Sequence, residues 1–255
     1  IVATPDVAET ARAAVAHCGG DVTVLVVSDE EVLAASGQEC DDDDTRGAPA
    51  DRGRLALVQF TSGSTGSPRG VPVTWESLAH NTGAIEQHFG LRPDDSFASW
   101  VPLHHDMGLV GVLLTAFPAG CPLTLMRPDQ FLRAPRRWLE AMTWSTLSAA
   151  PSFGLGYVAR RVKPESVADL DLSRWRGTAR GSEPLRLRDV GPFLELTEPL
   201  GLPRTNLIPA YGLAESTLLA CAGRSGERLR AIRLATPPRP GVPVDVAEVW
   251  DGLGP

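Results

Sequence analysis

The most informative stretch of this sequence is the decapeptide Thr61-Ser62-Gly63-Ser64-Thr65-Gly66-Ser67-Pro68-Arg69-Gly70. It follows an apolar run, residues 55–60, that predicts a buried strand. It precedes a helix predicted from Trp75 to Phe89, with Thr74 as its N-cap. Glycines allow tight turns, free backbone N–H groups form an anion nest, and Arg69 adds a positive charge. We therefore predict a phosphate-binding loop rather than a flexible Gly/Ser linker; it is not a Walker loop, because no Gly-Lys-Ser/Thr follows.

Composition excludes several classes of protein. The chain has 255 residues, enough for one large or two small domains, and its net charge of −7 argues against nucleic acid as a partner. Four cysteines without a Cys-x-x-Cys pair predict neither a zinc site nor disulfides, so a cytoplasmic location is expected. No apolar run reaches the length of a membrane span, and no signal peptide is evident. Because the first residue is Ile, we expect a piece of a longer protein.

The pattern of strands and helices predicts an α/β fold with a largely parallel sheet covered by helices. Strands are predicted at 96–101, 122–126, 146–150, 175–180 and 206–210, and helices at 107–117, 135–144, 152–162 and 186–198. We assign residues 1–36 to a first α/β subdomain, with a helix predicted at 7–17 and a strand at 22–27. An acidic linker follows at 37–53, and the core spans 54–225. Residues 226–255 form a Pro/Gly-rich tail with weak strand character at 244–250. Ligands of such sheets bind beyond the carboxyl ends of the strands.

Further motifs follow predicted strands. His105 and Asp106 begin a helix, where they could orient an acid or gate two pockets; alternatively, the histidine is structural or simply exposed. Tyr211-Gly212-Leu213-Ala214-Glu215 offers a ring that can stack on a purine and a carboxylate that can hold Mg²⁺, although alone it also fits an ordinary turn.

Taken together, these motifs resemble those of the adenylate-forming superfamily, and of fatty acyl-AMP ligases in particular. The decapeptide 61–70 is similar to their phosphate loop, and residues 102–109 to their second core motif. Arg180-Gly181-Ser182-Glu183-Pro184 is similar to the Gly-Ala-Glu-Pro adenine loop, with Ser for Ala. Residues 149–153 and 170–176 also resemble that subgroup, and the similarity extends from about residue 55 to 220.

The resemblance implies that ATP and Mg²⁺ activate a fatty acid to acyl-adenylate plus pyrophosphate, and that the acyl group passes to an acyl carrier protein or carrier domain. It implies catalytic roles for His105, Arg69 and the metal ligand Glu215, with Asp106 supporting the histidine. Nucleotide contacts would come from Thr61 to Gly66, from Gly181 to Pro184, and from Tyr211 and Gly212. Ser152 and Phe153 either line the acyl pocket or belong to the core.

Two further hypotheses remain: a catalytically weak relative that serves as a binding or docking module, and an acyl-CoA or aryl-acid ligase. Full members of the superfamily carry a lysine on a C-terminal lid. The single lysine here, Lys163, lies before Tyr211 instead, and no convincing ribose-binding aspartate follows Glu215. We therefore expect impaired activity from this form of the chain.

Overall fold

The computed structural model describes residues 2–3, 5, 8–18, 25–26, 53–61, 69–183, 187–227, 230–237, 242 and 246–251. The chain divides into two compact units, Ile1–Ala50 and Asp51–Pro255. In the first unit, strands β1 (Val2–Ala3) and β2 (Leu25–Val26) pair in parallel, and α1 spans Ala8–Cys18, close to the helix predicted at 7–17. The predicted linker 37–53 lies outside the described residues, apart from Gly53.

The second unit begins with an antiparallel hairpin of β3 (Leu55–Thr61) and β4 (Arg69–Thr74). Two predictions are wrong here. Arg69 lies on a strand, opposite Thr61, because 69–74 pairs with β3 before the helix begins. β3 is also not buried, since one face of this two-stranded sheet is open and Phe60 is 68% exposed. The predicted loop residues Ser62 to Pro68 lie outside the described residues.

Helix α2 (Trp75–Phe89) forms where the sequence predicts it. The Thr74 side chain accepts a hydrogen bond from the backbone N–H of Ser77 at 3.1 Å, as an N-cap should. Gly90 ends the helix in the left-handed conformation, with φ of 54°, which glycine adopts without steric cost. The cap residues thus fix the bounds of this helix.

A six-stranded sheet confirms the predicted α/β architecture. Its order is β10-β9-β8-β7-β5-β6, parallel throughout except for β10. The strands are β5 (Phe97–Ser99), β6 (Leu123–Leu125), β7 (Leu147–Pro151), β8 (Gly177–Gly181), β9 (Leu207–Gly212) and β10 (Leu219–Ala222). The sequence analysis missed β10.

Helices connect these strands. They are α3 (Asp106–Gly108), α4 (Leu114–Ala116), α5 (Pro128–Arg133), α6 (Arg136–Met142), α7 (Ser152–Arg161) and α8 (Leu187–Thr197). Short 3₁₀ turns span Pro164–Ser166, Glu198–Leu200, Arg204–Asn206 and Ala214–Ser216. A π-helix, Leu109–Leu113, interrupts the helix predicted at 107–117, and the Thr115 hydroxyl donates to the Val110 carbonyl there at 2.8 Å.

The two faces of the sheet bury different sets of side chains. On one face, fully buried Trp138, Trp175, Phe131 and Phe193 pack together beneath the helices. Phe97, Leu147 and Ala149 belong to a separate cluster on the other face, since side chains alternate along a strand. It is this second face that contributes to the cavity described below.

The C-terminal part adds a second hairpin. Strand β11 (Arg230–Leu234), which the sequence analysis missed, pairs antiparallel with β12 (Val246–Asp251), which overlaps the strand character noted at 244–250. Among the described residues, no helix is long and apolar enough to span a bilayer.

Candidate functional site

A cavity of about 840 Å³ in the second unit brings the sequence motifs together. Its lining includes residues at the carboxyl ends of β8 and β9, as expected for an open α/β sheet. The predicted site residues found in the lining are Thr61, Arg69, His105, Asp106, Gly181, Ser182, Tyr211, Gly212 and Glu215. Motifs from residue 61 to residue 215 thus meet in one place.

His105 and Asp106 form an ion-pair geometry at the start of α3. The Nδ1 atom of His105 lies 2.7 Å from Oδ1 of Asp106 and 3.1 Å from the backbone N of Met107. The hydrogen bond to Asp106 raises the pKa of His105; burial opposes this, and the aspartate charge adds to it. When the ring is protonated, Nδ1 donates to Asp106; when it is neutral, Nδ1 can accept from the Met107 N–H. The site therefore keeps a positive charge to higher pH than a free histidine would.

Asp106→Asn should lower the pKa of His105, because it removes the carboxylate that raises it. Proton NMR titration of the His105 ring, assigned by comparison with His105→Gln, measures this. Because folding raises the pKa of His105, protonation of this ring stabilises the folded state. This stabilisation is fully present below the ordinary histidine pKa of 6.5. It is lost as the pH rises through the folded-state value, and Asp106→Asn should flatten this dependence. An unchanged titration would contradict the pairing.

Tyr211 lies near the carboxyl end of β9, and Glu215 lies on the turn that follows this strand. Tyr211 is 63% exposed and lines the cavity, so a flat ligand can approach its ring. At Gly212, an added Cβ would lie 1.8 Å from the carbonyl oxygen of Leu218, so a side chain there would displace the turn. Glu215 is exposed in the 3₁₀ turn Ala214–Ser216 and lines the cavity.

Asn81 of α2 holds this turn, and the sequence analysis missed it. Its Nδ2 donates to the carbonyls of Ser216 at 3.2 Å and Leu219 at 2.9 Å, and its Oδ1 accepts from the Leu219 N–H at 3.0 Å. The contacts span more than 130 residues of sequence, so no local pattern reveals them. The turn bearing Glu215 is thereby fixed to α2.

The loop after β8 is positioned by a helix cap. Gly181 and Ser182 line the cavity, and Ser182 has a left-handed φ of 66°. Glu183 does not line it; its Oε1 accepts from the Phe153 N–H at 2.6 Å. This bond satisfies a first-turn N–H of α7, whose N-cap Pro151 makes no side-chain capping bond. A carboxylate at a helix N-terminus is also favoured by the helix dipole. Pro184 lies outside the described residues.

Glu183→Ala should lower the free energy of unfolding by about 1 kcal/mol, the usual cost of losing a cap, and loosen the loop at the cavity. Glu183→Gln is the matched control, because its amide oxygen can still accept from Phe153. Urea unfolding of both variants measures the difference. Equal loss in the two variants would show that charge, rather than the capping bond, is responsible.

The apolar part of the cavity is built from residues that the sequence analysis did not assign to it. Ser152 is fully buried and Phe153 packs edge-on against Trp100 at 5.8 Å, and neither lines the cavity. Their role in substrate binding stays a prediction. The apolar lining includes Ile85, Phe89, Leu91, Phe97, Leu147, Ala149, Ala179, Leu218 and Leu219, together with Gly111 and Gly177. The helical spacing of Leu78, Ile85 and Phe89 in α2 is a signal that could have indicated part of this set.

Comparison with known proteins defines the class. The family model for AMP-binding enzymes matches residues 1–252, and the chain belongs to this family. Among curated relatives, it is 41% identical over 183 residues to the medium-chain-fatty-acid–[acyl-carrier-protein] ligase JamA of Moorena producens, covering 71% of this chain and 31% of the relative. It is 36% identical over 227 residues to the long-chain-fatty-acid–AMP ligase FadD26 of Mycobacterium marinum, covering 84% and 39%.

Solved structures agree. A fatty acyl-adenylate ligase from L. pneumophila, in complex with acyl adenylate and pyrophosphate, superposes with a TM-score of 0.76 at 30% identity, covering 90% of this chain and 41% of that one. The chain is thus similar to fatty acyl-AMP ligases, and it spans between 31% and 39% of the length of these two curated relatives.

Proposed function

We propose that this chain is the central part of a fatty acyl-AMP ligase, which converts a fatty acid and ATP to acyl-adenylate and pyrophosphate and passes the acyl group to an acyl carrier protein. The observation that supports this most directly is a single cavity lined by two kinds of residue. Its charged and aromatic lining includes Arg69, His105, Tyr211 and Glu215. Its apolar lining, which we call the apolar half, includes Ile85, Phe89, Leu147 and Ala179. An acyl-adenylate has the same division into a charged nucleotide and a hydrocarbon chain.

The residues present suit the activation step. The carboxylate and the α-phosphate are both anions and repel each other, so they must be held together by preorganised positive charge and hydrogen-bond donors. Arg69 is the one arginine or lysine among the described lining residues, and His105 beside Asp106 is a second cationic group. Tyr211 offers the exposed ring on which an adenine can stack.

The donor set also fits magnesium. Asp106 and Glu215 are the carboxylates among the described lining residues, and Mg²⁺ typically takes one or two carboxylates and completes its shell with water and phosphate oxygens. No group of three or more His, Cys, Asp or Glu that could form a closed metal site occurs in the described part of the chain. Glu215 would hold the ion, which neutralises phosphate charge when bound.

Binding of a non-reactive acyl-sulfamoyl adenylate tests the proposal. Isothermal titration should show heat with the mimic, and Glu215→Gln should weaken the Mg²⁺ dependence of ATP binding. If ATP and the mimic both fail to bind, only a docking role remains; unchanged metal dependence in Glu215→Gln would remove the metal assignment.

Ala179→Leu should weaken binding of the acyl chain without changing binding of ATP. Ala179 lies on β8 beside Ala149 and lines the apolar half, so a larger side chain occupies space that the acyl chain needs. We expect weaker binding of a long-chain mimic and unchanged binding of ATP, measured by the same titration. Equal losses for both ligands would show that the variant disturbs the fold.

A further inference from the structure

A buried polar network adjoins, along the chain, several residues of the apolar lining. Its centre is Asp95, which is 2% exposed. The Asp95 carboxylate accepts hydrogen bonds from Nε of Arg176 at 2.6 Å, the hydroxyl of Thr146 at 2.7 Å and the backbone N–H of Arg92 at 2.7 Å. Arg176 also reaches it through Nη2. We call Asp95, Thr146 and Arg176 the Asp95 network.

The network keeps its charges. Burial acts to raise the pKa of Asp95, but the hydrogen bonds from Arg176, Thr146 and Arg92 outweigh it and lower the pKa. Asp95 therefore remains ionised opposite Arg176, and a paired, hydrogen-bonded carboxylate of this kind resists displacement by a hydrocarbon.

Arg176 also holds the end of α2. Its Nη1 donates to the carbonyl of Phe89 and its Nη2 to the carbonyl of Gly90, both at 3.0 Å. A cation at a helix C-terminus is favoured by the helix dipole and satisfies carbonyls that have no partner within the helix. The helix that covers the apolar half is thereby fixed to the sheet beneath it.

Each member of the network is joined to a lining residue. Arg176 precedes Gly177, Thr146 precedes Leu147, and Asp95 lies two residues before Phe97. Gly177, Leu147 and Phe97 line the cavity, as does Phe89, whose carbonyl Arg176 binds. The network members themselves are not in the cavity lining.

We infer that the Asp95 network is the end wall of the acyl site and determines the longest acyl chain that the site accepts. This inference rests on the proposed function. Arg176 acts as a positioning residue through Phe89 and α2, without touching the substrate. A rigid wall limits chain length sharply, because a chain that is too long must either displace a hydrogen-bonded ion pair or leave methylenes outside the cavity.

A chain-length series tests the inference. Acyl-sulfamoyl adenylates with even-numbered chains from hexanoyl to stearoyl are titrated into the wild-type protein. Affinity should rise about fourfold per buried methylene, the usual hydrophobic increment, and then stop rising at a break point where the chain meets the wall.

Two variants should move the break point to longer chains. Asp95→Ala with Arg176→Ala removes both charges together, so neither is left unpaired. Arg176→Lys keeps the charge but loses the forked contact, and it serves if the double variant does not fold by circular dichroism. Glu198→Ala with Arg204→Ala is the matched control, because that exposed forked pair, at 2.6 and 2.7 Å, has no member in the cavity lining.

The outcomes are distinct. A break point that shifts by at least one two-carbon step in the network variants, but not in the control, supports the wall. Proportional weakening at every length with the same break point overturns it and leaves the proposed function intact. A wild-type protein that binds the mimics without any dependence on chain length overturns the acyl site itself, and with it the inference.

Discussion

Replacing Arg180 with methionine should stabilise this protein. Arg180 is 1% exposed, and burial lowers its pKa to about 10. Within the described residues, Nε and Nη1 have no hydrogen-bond partner, and Nη2 lies 3.4 Å from the carbonyl of Leu207. A buried cation without a carboxylate loses its hydration and gains little in return. Methionine has a similar length and no charge.

We expect the free energy of unfolding to rise by about 1–3 kcal/mol, the usual desolvation cost of a buried polar group without a hydrogen-bond partner. For a domain of this size, each kcal/mol corresponds to roughly 2–4 °C in Tm. Thermal and urea unfolding measure the change. Arg137→Met, at an exposed position, is the control and should change stability by less than about 0.5 kcal/mol. A less stable Arg180→Met variant would show that the Arg180 guanidinium stabilises the folded state.

Arg69→Ala should slow acyl-adenylate formation by about 10²–10³-fold, the usual cost of losing one preorganised group that stabilises developing charge. The hairpin register fixes Arg69 opposite Thr61, and both line the cavity. Substitution therefore removes charge without removing the strand. Single-turnover pyrophosphate release from ATP and a long-chain fatty acid measures the effect.

Arg54→Ala is the matched control, because it removes an exposed arginine next to the same hairpin that does not line the cavity. Arg69→Lys should recover part of the rate, since the charge returns without the planar fork. If Arg69→Ala and Arg54→Ala behave alike, Arg69 takes no part in the reaction.

Local signals in the sequence predicted much of the architecture. The cap at Thr74, the periodicity of α2 and the alternation of strand and helix patterns that predicted β7 and β8 depend on neighbouring residues. The structure places those elements within a few residues of the prediction. Strand β4 was missed because Gly70 and Pro72 are poor strand formers, and its pairing with β3 overrides that preference. The π-helix was not predicted either; the Thr115 hydroxyl donates to the Val110 carbonyl within it.

The site was predicted less completely than the fold, because several of its contacts are long-range. The motifs placed nine residues in the cavity lining, but they could not show that Glu183 contacts α7 across 30 residues. Nor could they show that Asn81 binds the turn bearing Glu215. The apolar lining comes from four strands, from α2 and from the π-helix together, so no single stretch indicates it.

Gly212 shows that the residues of a signature motif are constrained for different reasons. It is excluded from carrying a side chain by the carbonyl of Leu218, which belongs to the chain itself rather than to a ligand. A related protein that had lost catalytic activity but kept the fold would need glycine here for the same steric reason. In a saturation scan, substitutions at Gly212 should therefore reduce the amount of folded protein, whereas substitutions at Glu215 should reduce turnover alone. Glycine at position 212 therefore indicates that the fold is kept, whereas catalytic activity depends on exposed side chains such as Glu215.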